Sequence, residues 1–304
     1  MSAATTEAGK EPGASARAAG YRPVPNWPNT PDGWKWGQVV QVIVDTQDRV
    51  FFFQRDSPAV SIWNTDGDLL ETWPEPIGFD DIHGAYYGED ADGEYLLIID
   101  RNANRLARTT LSGEVVWSRD DLGFNRPTDA GVASNGDIYV SDGYGNPYVH
   151  RLTSKGEPIA RWGTSGVGPG QFNLVHSVWM TDYRGEETVY VCDRHNYRVQ
   201  RFSLDGEYRG KATGARRPTD LVVGPDGTRY VTELDARVTL LDTDDHPIAH
   251  IGGVAQHEPG EFVSPHSIWL DSTGAFYVTE VLEGRRVQKF VREDAASQVD
   301  ASRP

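Results

Sequence analysis

The 304-residue sequence has a single cysteine and a deficit of positive charge. Cys192 excludes an internal disulfide, and its place at the end of the apolar run Val189–Cys192 indicates a buried thiol rather than a nucleophile. The formal net charge of −16 argues against a nucleic-acid partner, because phosphates require a basic face. No apolar run approaches the length that crosses a bilayer, so we expect no membrane partner.

The two ends of the chain also lack apolar residues. Residues 1–20 are rich in Ala, Gly and Ser and contain no hydrophobic segment of the kind found in secretory signals. We therefore expect a disordered N-terminal tail and a cytoplasmic protein. The polar residues 295–304 are expected to form a second tail, which leaves 21–294 as one domain.

Glycine, tryptophan and tyrosine are abundant, a composition that favours short strands and tight turns over long helices. One repeating unit is clearest from Arg126 to Gly156. Its first apolar strand is followed by the turn pair Asn135-Gly136, which supplies positive φ angles for a hairpin. The buried strand Ile138–Val140 and the alternating strand Tyr148–Leu152 come next, and a second glycine turn opens a fourth strand.

Six copies of this unit follow one another at a period of roughly 45 residues. Four short strands at this period predict an all-β fold, a six-bladed β-propeller of the NHL-repeat type with about four antiparallel strands per blade. The first strand of each blade should line the central channel. The last copy lacks a fourth strand and would leave an open sheet edge. We expect the Pro- and Trp-rich arm, residues 21–36, to close that blade.

Three histidines occupy the same position of alternate copies. His83 and His176 are 93 positions apart, and His266 follows after another 90. Alternate blades of a six-bladed ring are about 120° apart, so these imidazoles should converge on the channel axis. Three histidines with an open fourth position are what a catalytic zinc ion requires. Ordinary capped or core histidines are the alternative interpretation.

A second repeated position follows the second strand of each copy, where arginine occurs three times, as Arg55, Arg101 and Arg194. These guanidinium groups would surround the channel mouth and suit a small substrate that carries a carboxylate. The alternative is a set of salt bridges to neighbouring acids. Tyr144 lies beside the same mouth, between two glycines that leave its ring exposed. Nearby cations would favour the phenolate form, which can act as a base, whereas a packing role is the alternative.

These residues belong to motifs that resemble the peptidyl-α-hydroxyglycine α-amidating lyase family of NHL-type, six-bladed propellers. The resemblance extends over most of the chain and is carried by four segments, Arg126–Asp129, Ser141–Asn146, Gly168–Ser177 and Cys192–Gln200. The family cleaves the C–N bond of an α-hydroxyglycine and releases an amide and glyoxylate.

The resemblance implies one zinc ion bound by the three histidines. It implies that Tyr144 takes the hydroxyl proton and that Arg55 and Arg194 act on the carboxylate. The repeat position of the arginines adds Arg101 as a further substrate-binding residue. The family also holds a structural calcium through an Asp directly after the third histidine. Ser267 occupies that position here, so calcium is a weaker expectation than zinc.

Two other functions stay open on the sequence. One is a propeller hydrolase or eliminase, lactonase-like or streptogramin-lyase-like, although lactonase-type propellers bind calcium through Asp, Asn and Glu rather than three histidines. The other is a non-catalytic NHL-type propeller that binds protein partners. No pattern in the sequence predicts an oligomeric state.

Overall fold

The computed structural model describes residues 13–75 and 77–293. Helix α1 is Ala14–Ala18 and strand β1 is Tyr21–Pro23. Blade one contains β2 (Val39–Val44), β3 (Val50–Gln54), β4 (Val60–Trp63) and β5 (Leu69–Thr72). Blade two contains β6 (Ile82–Asp90), β7 (Gly93–Asp100), β8 (Arg105–Thr109) and β9 (Val115–Arg119). Blade three contains β10 (Asp129–Val132), β11 (Ile138–Asp142), β12 (Tyr148–Leu152) and β13 (Pro158–Trp162).

The second half repeats this plan after a short parallel pair, β14 (Thr164–Ser165) and β15 (Gln171–Phe172). Blade four contains β16 (Val175–Tyr183), β17 (Glu186–Asp193), β18 (Arg198–Phe202) and β19 (Tyr208–Ala212), with a 3₁₀ turn at Arg194–Asn196. Blade five contains β20 (Pro218–Val223), β21 (Arg229–Glu233), β22 (Arg237–Leu241) and β23 (Pro247–Gly252). Blade six contains β24 (Pro265–Leu270), β25 (Phe276–Glu280) and β26 (Val287–Arg292).

These strands form six four-stranded antiparallel sheets, which confirms the predicted six-bladed propeller. Blades one to five take their strands in chain order, whereas blade six has the order β1-β26-β25-β24. Tyr21 pairs with Arg292 and Pro23 with Phe290, so the start of the described chain supplies the outermost strand of the last blade. This pairing covers the edge of β26 and joins the two ends of the domain.

The expected disorder of residues 1–20 is wrong for 13–20, while 1–12 and 294–304 lie outside the described residues. Helix α1 packs against β23, and the small side chain of Ala16 is fully buried in a cluster with Tyr21 and Phe276. The backbone N–H of Gly252 donates to Ser15 Oγ at 2.9 Å. Alanine and serine therefore serve close packing here, although their low hydrophobicity predicts disorder.

Apolar residues of neighbouring blades meet between the sheets. Ile99 and Leu106 of blade two, for example, share a buried cluster with Ile138 and Val140 of blade three. The second strand of a blade is covered on both faces, which explains why these strands are continuous apolar runs rather than alternating ones. No helix among the described residues is long and apolar enough to cross a membrane.

An acidic residue at the end of the second strand recurs because it holds an arginine of the third strand. Asp193 is completely buried and lies 2.8 Å from Arg198 Nε, while Arg198 Nη1 donates to the carbonyl of Val167 at 2.8 Å. The same acid–arginine pair occurs in three more blades, as Asp100–Arg105, Glu233–Arg237 and Glu280–Arg286. Each pair fixes an interblade loop at one end of the channel, here called the mouth.

Candidate active site

Three imidazoles converge at the mouth end of the channel, each from the second residue of an inner strand. His83, His176 and His266 are buried, with ring centroids 4.8 to 5.2 Å apart. One ring nitrogen from each lies within 4.8 Å of the other two. The repeat register thus brings together three residues that are distant in the sequence.

The orientation of each imidazole is fixed from the next blade. Every Nδ1 lies 2.6 to 2.8 Å from a backbone carbonyl of the equivalent position, His83 with Thr128, His176 with Thr219 and His266 with Val40. Because a carbonyl oxygen can only accept, each Nδ1 carries the proton and each Nε2 is left with its lone pair. Nδ1–H bonds of this kind are the usual support of histidine metal ligands.

The odd-numbered blades also hold the strands that carry the histidines. Thr128 Oγ1 donates to the carbonyl of Val175 at 3.1 Å, directly before one histidine. Thr219 Oγ1 donates to the carbonyl of Pro265 at 3.2 Å, directly before another. The two threonines therefore support histidines on both of their neighbouring blades, which gives this repeat position a role where histidine is absent.

Burial keeps the imidazoles neutral. It is the main cause that lowers the pKa of all three, and it acts together with the charge of His266 on His83 and of Arg194 on His176. The pKa of His266 falls to about 3. His176 Nε2 is buried without a hydrogen-bond partner among the described residues. Neutral imidazoles with one unpartnered buried nitrogen fit a zinc ion, which binds the unprotonated nitrogen.

Tyr144 reaches this centre from the loop between β11 and β12. Its Oη lies 3.1 Å from His83 Nε2, and Arg194 Nη1 donates to Oη at 3.3 Å. A Cβ atom at Gly143 would lie 1.7 Å from the carbonyl oxygen of Val175. The residue before the tyrosine must therefore be glycine for the loop to approach blade four so closely.

The three predicted arginines surround the mouth but differ in their partners. Arg55 Nε lies 3.1 Å from Asp81 Oδ1, and Arg101 pairs with the other oxygen of the same carboxylate. Arg194 is buried, its Nε has no hydrogen-bond partner, and it makes no ion pair within the described chain. The salt-bridge alternative thus holds for Arg55 and Arg101 through Asp81, whereas Arg194 keeps its charge available for an anion.

Sequence reasoning missed two residues of this mouth, Asp81 and Arg126. The guanidinium carbon of Arg126 lies 5.9 Å from the centroid of the Tyr144 ring, and those of Arg101 and Arg194 lie at 5.5 and 5.3 Å. Asp81 lies two positions before His83, and Arg126 lies two positions before Thr128, which is the equivalent residue of blade three. This shared offset could have revealed both residues. The mouth is locally cationic in a strongly acidic chain, which suits an anionic ligand.

A second polar layer lies one residue further along the inner strands. Asp129 and Asp220 are buried there, and the Ser267 hydroxyl donates to Asp220 at 2.8 Å. Burial raises the pKa of both carboxyls, and Asp220 raises that of Asp129 further. An acid thus faces Ser267, which directly follows the third histidine. Within the described residues, the three histidines are the one group of three or more His, Cys, Asp or Glu side chains that could hold a metal ion.

Aromatic side chains close the channel beyond this layer. Tyr86, Trp179 and Trp269 come three residues after the three histidines, with ring centroids 5.3 to 6.3 Å apart. We call these three residues the aromatic plug. With the plug at one end, the histidines are approached from the mouth.

The chain is a six-bladed β-propeller, and over most of its length it is similar to NHL repeat-containing proteins. Human NHL repeat-containing protein 3 is 28% identical over 299 residues, covering 89% of this chain and 84% of that protein. The probable peptidyl-alpha-hydroxyglycine alpha-amidating lyase of Caenorhabditis elegans is 33% identical over 125 residues, covering 40% of this chain and 35% of that protein. The likeness to an amidating lyase is therefore partial.

Solved structures of other proteins have the same propeller architecture. Virginiamycin B lyase from Staphylococcus aureus superposes with a TM-score of 0.55 at 15% identity, covering 91% of this chain and 90% of that chain. This likeness concerns the fold alone. No family model matches the sequence.

Proposed function

We propose that the protein is a zinc-dependent lyase that cleaves the C–N bond of a carbinolamide, an α-hydroxyglycine-like compound, to an amide and an α-oxo acid such as glyoxylate. The observation that carries the proposal is the arrangement around His83. Its Nε2, which faces the other two imidazoles, lies 3.1 Å from Tyr144 Oη, and Arg194 Nη1 lies 3.3 Å from the same oxygen. A three-histidine centre, a phenol and an unpaired guanidinium thus occupy one pocket mouth.

Each side chain has a definite task in this reaction. Arg194 binds the substrate carboxylate, and Arg55 and Arg101 add positive charge from the other side of the mouth. Tyr144, as phenolate, takes the proton of the substrate hydroxyl. The C–O bond becomes a carbonyl, the C–N bond breaks, and its electron pair goes to nitrogen. The nitrogen takes a proton from the tyrosine and leaves as an amide, so that no water is consumed.

The metal ion fits this scheme through the chemistry of its ligands. Zinc held by the three Nε2 atoms would supply a Lewis acid for the hydroxyl and carboxylate oxygens of the substrate. The guanidinium carbons of Arg101, Arg126 and Arg194 lie 5.3 to 5.9 Å from the centroid of the Tyr144 ring, so they place positive charge beside the group that takes the hydroxyl proton.

The test combines metal analysis with product detection. Protein purified without chelators should contain about one zinc per chain and should release glyoxylate from α-hydroxyhippurate. Protein without metal, with an unchanged activity in the His176→Ala variant, would refute the zinc centre. An activity that survives a zinc chelator but requires calcium would favour the hydrolase or eliminase alternative.

A non-catalytic role is the second candidate. It is favoured by one observation, that the similarity to human NHL repeat-containing protein 3 covers most of both chains whereas that to the nematode lyase covers less than half of either. A variant with all three histidines replaced by alanine separates the two functions. A binding propeller would keep its partners in that variant, whereas a lyase would lose its metal and its activity.

A further inference from the structure

Two grooves open beside the mouth, and they differ in charge. The groove between blades three and four has a volume of about 410 Å³ and begins at Tyr144. The groove between blades one and two has a volume of about 430 Å³ and begins at Arg55 and Arg101. Four carboxylates line this second groove, those of Asp56, Glu75, Asp80 and Asp81.

The groove at Tyr144, here called the blade-three groove, has an uncharged lining. It contains no Asp, Glu, Lys or Arg, and its one further titratable side chain is that of His195, whose pKa is lowered by burial and then by Arg194. Phe172 and Leu174 form part of its apolar wall. Val167, on its rim, is 75% exposed, the largest exposure of any large hydrophobic side chain in the described chain.

We infer that the blade-three groove receives the acyl group attached to the substrate nitrogen, and that this acyl group is uncharged and apolar. The inference rests on the proposed function. In a carbinolamide the carboxylate, the hydroxyl and the amide nitrogen are bonded to one tetrahedral carbon and therefore point in different directions. When the arginines hold the carboxylate, the nitrogen must face Tyr144, which returns the proton to it, and the acyl group continues into the groove that begins at this residue.

The dimensions and the charges agree with this assignment. A volume near 400 Å³ is at the lower end of the range for small-molecule sites and accommodates an aromatic acyl group or one apolar residue. A carboxylate on the acyl group would lose its hydration there without gaining a cationic partner, since the groove offers none. The arginines of the mouth already bind the carboxylate of the α-hydroxyglycine part, so they are not available to a second carboxylate on the acyl group.

Val167 allows a direct test, because its exposed side chain can be replaced without changing the packing of the core. Its backbone stays in place because Arg198 Nη1 donates to its carbonyl oxygen at 2.8 Å. Val254 is the matched control, a 58% exposed valine in the corresponding loop between blades five and six. We would measure kcat and KM for glyoxylate release from N-acetyl-, N-benzoyl- and N-succinyl-α-hydroxyglycine. The wild type should prefer benzoyl over succinyl by at least about tenfold in kcat/KM.

Only the variants at Val167 should change this preference among acyl groups. Val167→Asp should raise KM for the benzoyl substrate about tenfold and leave the acetyl substrate, which is too short to reach the rim, within about twofold. Val167→Lys should improve the succinyl substrate about tenfold. Val254→Asp and Val254→Lys should behave like the wild type with all three substrates.

The outcomes separate the inference from the proposed function. Glyoxylate release with the same acyl preference in all five proteins would overturn the assignment of the groove and leave the lyase intact. Equal loss of activity in the Val167 and Val254 variants would also overturn it. No glyoxylate from any substrate, with zinc present, would overturn the proposed function and the groove assignment with it.

Discussion

The two ends of the channel are built by the same three strands but have opposite chemistry. β6, β16 and β24 place histidines under a cationic mouth and, three residues later, an aromatic plug. In a regular strand, residues three positions apart point to opposite faces. The pairing register of each of these strands shifts across the histidine, between Ile82 and Gly84 in β6, between Val175 and Val178 in β16, and between Pro265 and Ser267 in β24.

This β-bulge explains how both ends can face the axis. One extra residue in the strand reverses the alternation, so that the histidine and the later aromatic residue both point inward. The mouth and the plug thus depend on the same local irregularity but serve separate purposes. Substitutions at the mouth should change chemistry with little effect on stability, and substitutions in the plug should do the opposite.

The largest expected effect is that of His176→Ala. It removes one of three imidazole ligands, so we expect zinc to be lost on dialysis and kcat/KM for α-hydroxyhippurate to fall by about 10³-fold or more. Elemental analysis and glyoxylate release measure the two effects. Retention of zinc at one equivalent per chain would show that the ion is held elsewhere.

Tyr144→Phe should come next. Loss of the phenol removes the base but no metal ligand, so kcat should fall about 10² to 10⁴-fold while zinc content stays constant. Tyr148→Phe is the matched control, since Tyr148 lies at the start of β12 beneath Arg161 and outside the mouth. If both variants kept the wild-type kcat, another group would have to be the base.

At the plug, Trp179→Leu should lower the free energy of unfolding by about 2 kcal/mol, because it removes ring contacts with Tyr86 and Trp269. Chemical denaturation measures this loss. Zinc content and kcat should stay within about twofold of the wild type. A large fall in kcat without a loss of stability would mean that the plug takes part in the reaction.

The smallest effect should come from Asp129→Asn, between the two ends. Burial and Asp220 raise the pKa of Asp129 above its unfolded value, so the carboxyl stabilises the fold fully at low pH and less as the pH rises through the folded pKa. Asparagine removes this dependence. The melting temperature of the variant should match that of the wild type near pH 4 and exceed it by a few degrees at pH 8, roughly 1 kcal/mol.

The same measurement bears on the calcium expectation. If Asp129 and Asp220 held a cation as an ionised pair, Asp129→Asn would lower the melting temperature at pH 8 instead of raising it. Repeating the scan with added calcium would then stabilise the wild type and leave the variant unchanged.

The sequence predicted the blades well because each is a local pattern. Turn pairs such as Asn135-Gly136 and apolar runs such as Ile138–Val140 specify hairpins within a few residues. The nearly equal spacing of His83, His176 and His266 predicted their convergence, since repeats of constant length are placed at constant angles around a closed ring. Asp81 was not predicted, because an acid before a strand gives no indication of which arginines it will contact.

Local sequence patterns thus specify the repeat, the number of blades and the residues that each blade presents at the channel. The tertiary structure decided what those residues face. Ring closure by β1 joins the two ends of the domain, and Asp81 of blade two is shared between Arg55 of blade one and Arg101 of its own blade. The bulges at the histidines set which side chains face the axis. Such contacts depend on the distances and angles between sheets, which no local pattern of residues encodes.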